Sequence, residues 1–246
     1  MRTSSRRKLD VALVAAGIVV VGGVTLGAAA LAGRTEEIDR YWTSAEVADD
    51  GSARVTEVID YDFGLNSKHG IIRWVPGLGL DAGIVVESPD APDETQVTSR
   101  SEQRLDGSFV DGAEIRVGDP DTTITGRHRY RIDYDLAGVR QGSTVDWEAV
   151  GTGWDVGMDE VEVHLVTPFE VESPACFTGP VGSSASCDVR EVEPGHLVVT
   201  LDDLDAHEGV SVEGTQGAAL GATPAAPEAP SGPPPAEERT NPLGPA

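Results

Sequence analysis

RYRIDYDL, residues 129–136, can be read only as a β-strand. Tyr130, Ile132, Tyr134 and Leu136 alternate with Arg129, Arg131, Asp133 and Asp135, the period of two that turns one strand face to a core and the other away from it. No helical period fits the same letters. On its amino-terminal side, Ala45–Phe63 (AEVADDGSARVTEVIDYDF) has β-rich runs on both sides of Asp49-Asp50-Gly51-Ser52, a hairpin turn signal. In the second arm Val55, Ile59, Tyr61 and Phe63 share one face, opposite Arg54, Thr56, Asp60 and Asp62. Short β-branched runs recur at 83–87, 113–117, 144–147, 161–166, 197–201 and 210–212, bounded by Gly, Pro, Asp or Ser. Beyond residue 33 there is no apolar stripe of helical period and no internal repeat, so nucleotide-binding α/β folds lose their support. The expectation is a mainly β chain whose residues 34–214 form one antiparallel β-sandwich.

The first 33 residues are of another kind. Val11–Ala32 (VALVAAGIVVVGGVTLGAAALA) has no charge over 22 positions, enough at about 1.5 Å per residue to cross a hydrocarbon core of roughly 30 Å. Arg2, Arg6, Arg7 and Lys8 precede it, and Glu36, Glu37 and Asp39 follow it. The positive-inside bias therefore puts residues 1–10 in the cytoplasm, a span at 11–33, and the rest outside the cell membrane. Ala28-Ala29-Ala30 and Ala30-Leu31-Ala32 would suit a signal peptidase, but the apolar run exceeds the 7–15 residues usual for a signal peptide, which favours a retained single-pass anchor. The lipid bilayer is thus the first expected partner.

The formal charge is −24, and without the basic first ten residues 14 bases face 41 acids, a net of −27. Phosphate neutralisation needs clustered Lys and Arg, so nucleic acid is not an expected partner. Cys176 and Cys187, the only cysteines, bracket FTGPVGSSAS in a segment assigned to the oxidising side of a membrane, and a structural disulfide is preferred over two free thiols. From Thr215 to Ala246 eight of the sixteen prolines accumulate with few large apolar residues, the composition of a disordered or polyproline II tail.

Several of these stretches, in order, resemble the amino-terminal module of bacterial predicted membrane proteins known as domain of unknown function 2207. The resemblance rests on Asp50-Gly51-Ser52 followed by Val55-Thr56-Glu57, a Tyr-Asp-Phe ending at Phe63, and Gly70-Ile71-Ile72-Arg73 leading to Pro76. It continues through Ile115–Asp119, Thr125–Tyr130 with Tyr134, Asp146-Trp147, Val150-Gly151, Trp154 and the run Val161–Val166 ending at Pro168. It implies a membrane-linked extracytoplasmic β module with no assigned activity. Such proteins usually continue into further transmembrane helices, whereas here the Pro-rich tail follows the module directly.

Candidate site residues are few. Glu57 falls on the apolar face of its strand, where an unpaired carboxylate is costly, and Arg73 is its candidate partner in a structural ion pair rather than an acid catalyst. Trp147 and Trp154 flank Gly151-Thr152-Gly153 and form a candidate surface aromatic site for sugar stacking, set against the plainer reading of core residues. Loop acids Asp119, Asp121, Asp202, Asp203 and Asp205 match no calcium loop. The histidines, His69, His128, His164, His196 and His207, are scattered, none paired with another at ligand spacing. Nucleophile elbow, zinc and phosphate-loop motifs are absent. Hence no catalytic residue, metal or cofactor is assigned. The expected function is a membrane-tethered, non-enzymatic module contacting a membrane or cell-envelope protein. The alternatives are a secreted or envelope carbohydrate-binding or hydrolytic domain, or the sensor half of a system whose membrane partner is a separate chain.

Overall fold

The computed structural model describes residues 36–235. The expected cytoplasmic segment 1–10, the span 11–33 and residues 236–246 of the tail lie outside them. Among the described residues the structure is mainly β, with no helix and therefore none long and apolar enough to cross a membrane.

The chain enters as β1 (Glu37–Val47), turns at Asp50-Gly51, and returns as β2 (Ala53–Asp62). The Asp50 carboxylate accepts from the Ser52 N–H at 3.0 Å and its hydroxyl at 2.6 Å, and Gly51 takes φ +89° under the carbonyl of Arg140, where a Cβ would sit 2.3 Å from that oxygen. β3 (Ile71–Pro76), β4 (Val85–Glu87), β5 (Thr95–Gln103) and β6 (Phe109–Val117) follow, then β7 (Arg127–Leu136), β8 (Arg140–Gln141), β9 (Thr144–Val150) and β10 (Val161–Val166). The last five are β11 (Phe169–Pro180), β12 (Ala185–Cys187), β13 (Val189–Glu193), β14 (His196–Leu201) and β15 (Glu208–Ala219).

They form a seven-stranded sheet in the order β13-β14-β10-β1-β2-β7-β4, a five-stranded sheet β12-β11-β15-β9-β8, and a three-stranded sheet β3-β6-β5. Tyr130, Ile132 and Tyr134 of β7 join Val55 and Ile59 of β2 and Tyr41 of β1 in one buried cluster. Trp147 and Val212 from the five-stranded sheet and Ile71, Val75 and Ile115 from the three-stranded one complete it. The two smaller sheets thus share a core with one face of the large sheet, as the period of two in RYRIDYDL requires.

Two expectations need correction. The large sheet is mixed, because β10 lies parallel to β1, with Tyr41 opposite Val161 and Glu46 opposite Val166. A strand returning after a long excursion is not constrained to the antiparallel direction that a short turn imposes on β1 and β2. β15 also runs to Ala219, so Thr215–Ala219, given above to the tail, sit in the sheet, Thr215 opposite Thr144 and Ala219 opposite Phe169. That end reads GTQGAA, without the apolar alternation that marks a strand, and its backbone pairing is supplied by neighbours on both sides. Residues 220–235 are in neither helix nor strand. Cys176 and Cys187 are directly opposite on β11 and β12 and form a disulfide, with Cα atoms 5.0 Å apart.

Candidate functional site

The most concentrated chemistry lies under one end of the core. β2 carries Glu57 inward, because its neighbours two residues away, Val55 and Ile59, are core residues, and β3 carries Arg73 inward between Ile71 and Val75. Arg73 Nη2 donates to Glu57 Oε1 at 2.8 Å, and Nε donates to Oε2 at 2.9 Å. The Tyr134 hydroxyl donates to Oε1 at 2.6 Å, and Arg73 Nη1 donates to the Trp74 carbonyl. The guanidinium also lies 6.0 Å from the Tyr41 ring centre and 5.9 Å from that of Trp154, and those two rings meet edge to face at 6.1 Å. Both charged side chains are buried, so the ion pair works in low dielectric, where fork-to-carboxylate geometry and full satisfaction decide whether it holds. Burial opposes the Arg73 charge, but Glu57 beside it holds the guanidinium protonated; the Tyr41 and Tyr134 hydroxyls are raised by burial. Nearby Glu148 accepts from Leu105 N–H at 2.9 Å and Arg104 Nε at 3.3 Å; its pKa is raised by burial, against the pull of those donors.

Trp154 links this core to a cleft of about 520 Å³ whose wall includes Tyr61, Phe63, Trp74, Arg100 and Glu102. Its buried and half-buried charges are paired, whereas Asp155 on the same wall is 92% exposed and 3.8 Å from His207. Glu36 accepts from Asn66 Nδ2 at 3.0 Å and from the Tyr61 hydroxyl at 3.1 Å, and pairs with Lys68 Nζ at 2.9 Å. Arg100 pairs with Glu102 and, at 2.6 Å, with Glu114. Beside the cleft Ile72 is half-exposed, and the turn bearing Asn66 presents Leu65 at 76% exposure.

The candidate surface aromatic site is not at the surface: Trp147 and Trp154 are both buried, and Trp147 belongs to the shared core. The alternation of β9 (Val145, Trp147, Ala149) faces that core, which overrides the local signal of flanking glycines. Asp119 uses its carboxylate to cap its own turn, accepting from Asp121 N–H at 2.8 Å and the Thr122 hydroxyl at 2.5 Å. Asp121, Asp202, Asp203 and Asp205 are exposed.

Sequence reasoning missed two groupings. Glu37, Asp39 and Asp62 bring carboxylate oxygens within 4.8 Å of one another, and Arg127 supplies the positive charge among them, donating to Asp39 at 2.7 Å. Burial pushes the Asp39 carboxyl up to about 6 against the pull of Arg127, with Asp62 and Glu37 adding to the rise. Second, His164 and His196 do pair: Nδ1 of the first and Nε2 of the second are 3.0 Å apart, both rings are buried, and His164 Nε2 contacts Glu162 at 2.8 Å. One nitrogen must donate and the other accept, so the contact holds one proton, and burial lowers the His164 pKa although Glu162 opposes this. The two rings are diagonal neighbours across β10 and β14, 32 residues apart in sequence, and only the strand register could have revealed them.

The family described as predicted membrane protein (DUF2207) N-terminal domain matches residues 37–215. No curated protein matches the chain. Among solved structures, one described as a "putative protease" from Parabacteroides distasonis aligns at 12% identity and TM-score 0.35, over 73% of this chain and 40% of that one.

Proposed function

The chain belongs to this family of predicted membrane proteins, and from that premise we propose that residues 34–219 are an extracytoplasmic β-sandwich module, held at the membrane by residues 11–33, that binds a membrane or envelope protein without catalysing a reaction. The observation that carries the reading is the charge pairing of the cleft and its floor. Glu57 is held by two Arg73 nitrogens and a tyrosine hydroxyl, Glu36 by three donors, and Arg100 by two carboxylates. A general acid or base needs a carboxyl able to exchange its proton with a substrate, and each of these is committed to a protein partner. The exposed apolar side chains of Leu65 and Ile72 beside the cleft suit a protein contact. Burial of Trp147 and Trp154 weighs against a sugar platform.

The test is photocrosslinking in membranes from a reactive side chain at Ile72. The expected result is a discrete protein adduct that disappears in the charge-reversed variant Arg100→Glu. Absence of any adduct, together with turnover of an envelope polymer by purified protein that is lost in Glu102→Gln, would replace the contact reading with the hydrolytic one.

A further inference from the structure

The face of the seven-stranded sheet turned away from the core is closed along one diagonal. The strand register aligns His196, Val166, Glu46, Arg54 and Asp135 across β14, β10, β1, β2 and β7. Arg129 lies six residues before Asp135 on β7. Between the His196 corner and Arg129, the residues on the connecting line, His164, Ser44, Trp42, Val58 and Asp60, are all buried. On the same face Glu46, Arg54 and Thr200 are exposed, while Val166, Val198 and Asp133 beside the line are buried as well. Trp42 and Val58 belong to no part of the main core cluster, so something else covers them.

The chain after β15 is pinned at both ends of that line. Leu220 N–H donates to the Pro168 carbonyl at 2.9 Å, and its side chain closes on Gly195, the residue before β14. Arg129 Nη1 donates to the carbonyls of Ser231 at 3.0 Å and Gly232 at 3.3 Å while its other nitrogens hold Asp60. Four strand spacings of about 4.8 Å and six residues at about 3.3 Å make a diagonal of roughly 28 Å. Eleven residues of polyproline II at about 3.1 Å reach roughly 34 Å. The exposure of the segment repeats every three residues: Ala225, Glu228 and Ser231 are exposed, whereas Pro224, Pro227 and Pro230 are half-buried. Three residues per turn is the period of a polyproline II helix laid on one face.

We infer that this outer face is a polyproline II docking surface centred on Trp42, and that its occupant is the chain's own segment 220–232. The rings of Trp42 and His164, tilted at 43° with 5.5 Å between centres, supply the aromatic floor that such helices select. Arg129 fixes the register by reading two free carbonyls of a helix that makes no internal hydrogen bonds.

The test uses the full chain with a photocrosslinking side chain at Ala226, which is half-buried on the sheet-facing side of the segment. Adducts within the same chain on peptides from 37–47, 161–166 or 196–201 are expected; adducts confined to other regions or to a second copy overturn the inference. A second measurement exploits the tryptophans, all four of which are 5% exposed or less. In a chain ending at Gly221, one of the four becomes open to acrylamide quenching, the gain vanishes in Trp42→Phe, and a synthetic peptide of residues 220–235 reverses it. Unchanged quenching on truncation overturns the inference. If truncation opens all the tryptophans by unfolding, the crosslink in the intact chain decides.

Discussion

Removing either partner of the Glu57–Arg73 pair should damage the fold far more than removing both. Each side chain is fully buried and hydrogen-bonded to the other, so Glu57→Leu strands a guanidinium, and Arg73→Met strands a carboxylate, at a cost of about 3–5 kcal/mol each. In the double variant no charge is left. The Tyr134 hydroxyl and the Trp74 carbonyl lose their partners, a residual cost of about 2–4 kcal/mol. Additive singles would reach about 6–10 kcal/mol, so the expected coupling is about 3 kcal/mol or more in favour of the double variant. Urea unfolding followed by tryptophan emission of the full chain in detergent measures all four corners of the cycle. For a domain of this size each single should lower Tm by about 6–20 °C. Singles that add within about 0.5 kcal/mol, or either single costing less than about 1 kcal/mol, would refute the claim that each buried charge depends on the other.

Loss of the disulfide in the double variant Cys176→Ser, Cys187→Ser, with a sequence separation of 11, should cost about 3 kcal/mol; reductant should bring the wild type to the same urea midpoint and leave the variant unmoved. Gly118→Ala should cost about 2–4 kcal/mol, because Gly118 holds φ +132° and a Cβ would meet the His69 carbonyl oxygen at 1.7 Å; a midpoint within experimental error of wild type would remove the case for that close approach. Asp39 has its folded pKa raised from 3.8 to about 6, so its contribution is complete below about pH 4, declines between pH 4 and 6, and is absent above. Asp39→Asn should flatten that slope and add up to about 2 kcal/mol at pH 7, a figure reduced from the full shift for solvent screening; urea midpoints from pH 4 to 7 that keep the wild-type slope would contradict it.

Much of the β architecture was legible because it is written in short-range alternation. Tyr130, Ile132 and Tyr134 had to face a core, and Glu57 shared a strand face with Val55 and Ile59 wherever that strand lay. The family resemblance was readable for the same reason, since ordered turns and strand ends survive as local words. β5, TQVTSRSEQ, was missed because it is polar on both faces, and the end of β15 because its hydrogen bonds, not its side chains, place it in the sheet. Trp147 and Trp154 could be weighed either way from their flanking glycines, and only the register of β9 turned Trp147 to the core.

What the sequence by itself determined is the strand alternation, the place of Glu57 on an apolar strand face, the cysteine pair and the apolar amino-terminal run, all properties of residues within a few positions of one another. What only the tertiary structure decided is which distant strands lie side by side: the parallel β1–β10 contact, the His164–His196 pair, the Arg127 charge among Glu37, Asp39 and Asp62, and the diagonal under residues 220–232. Each depends on strand order, and strand order follows from burying all the apolar faces at once, a condition on the whole chain that no local window contains.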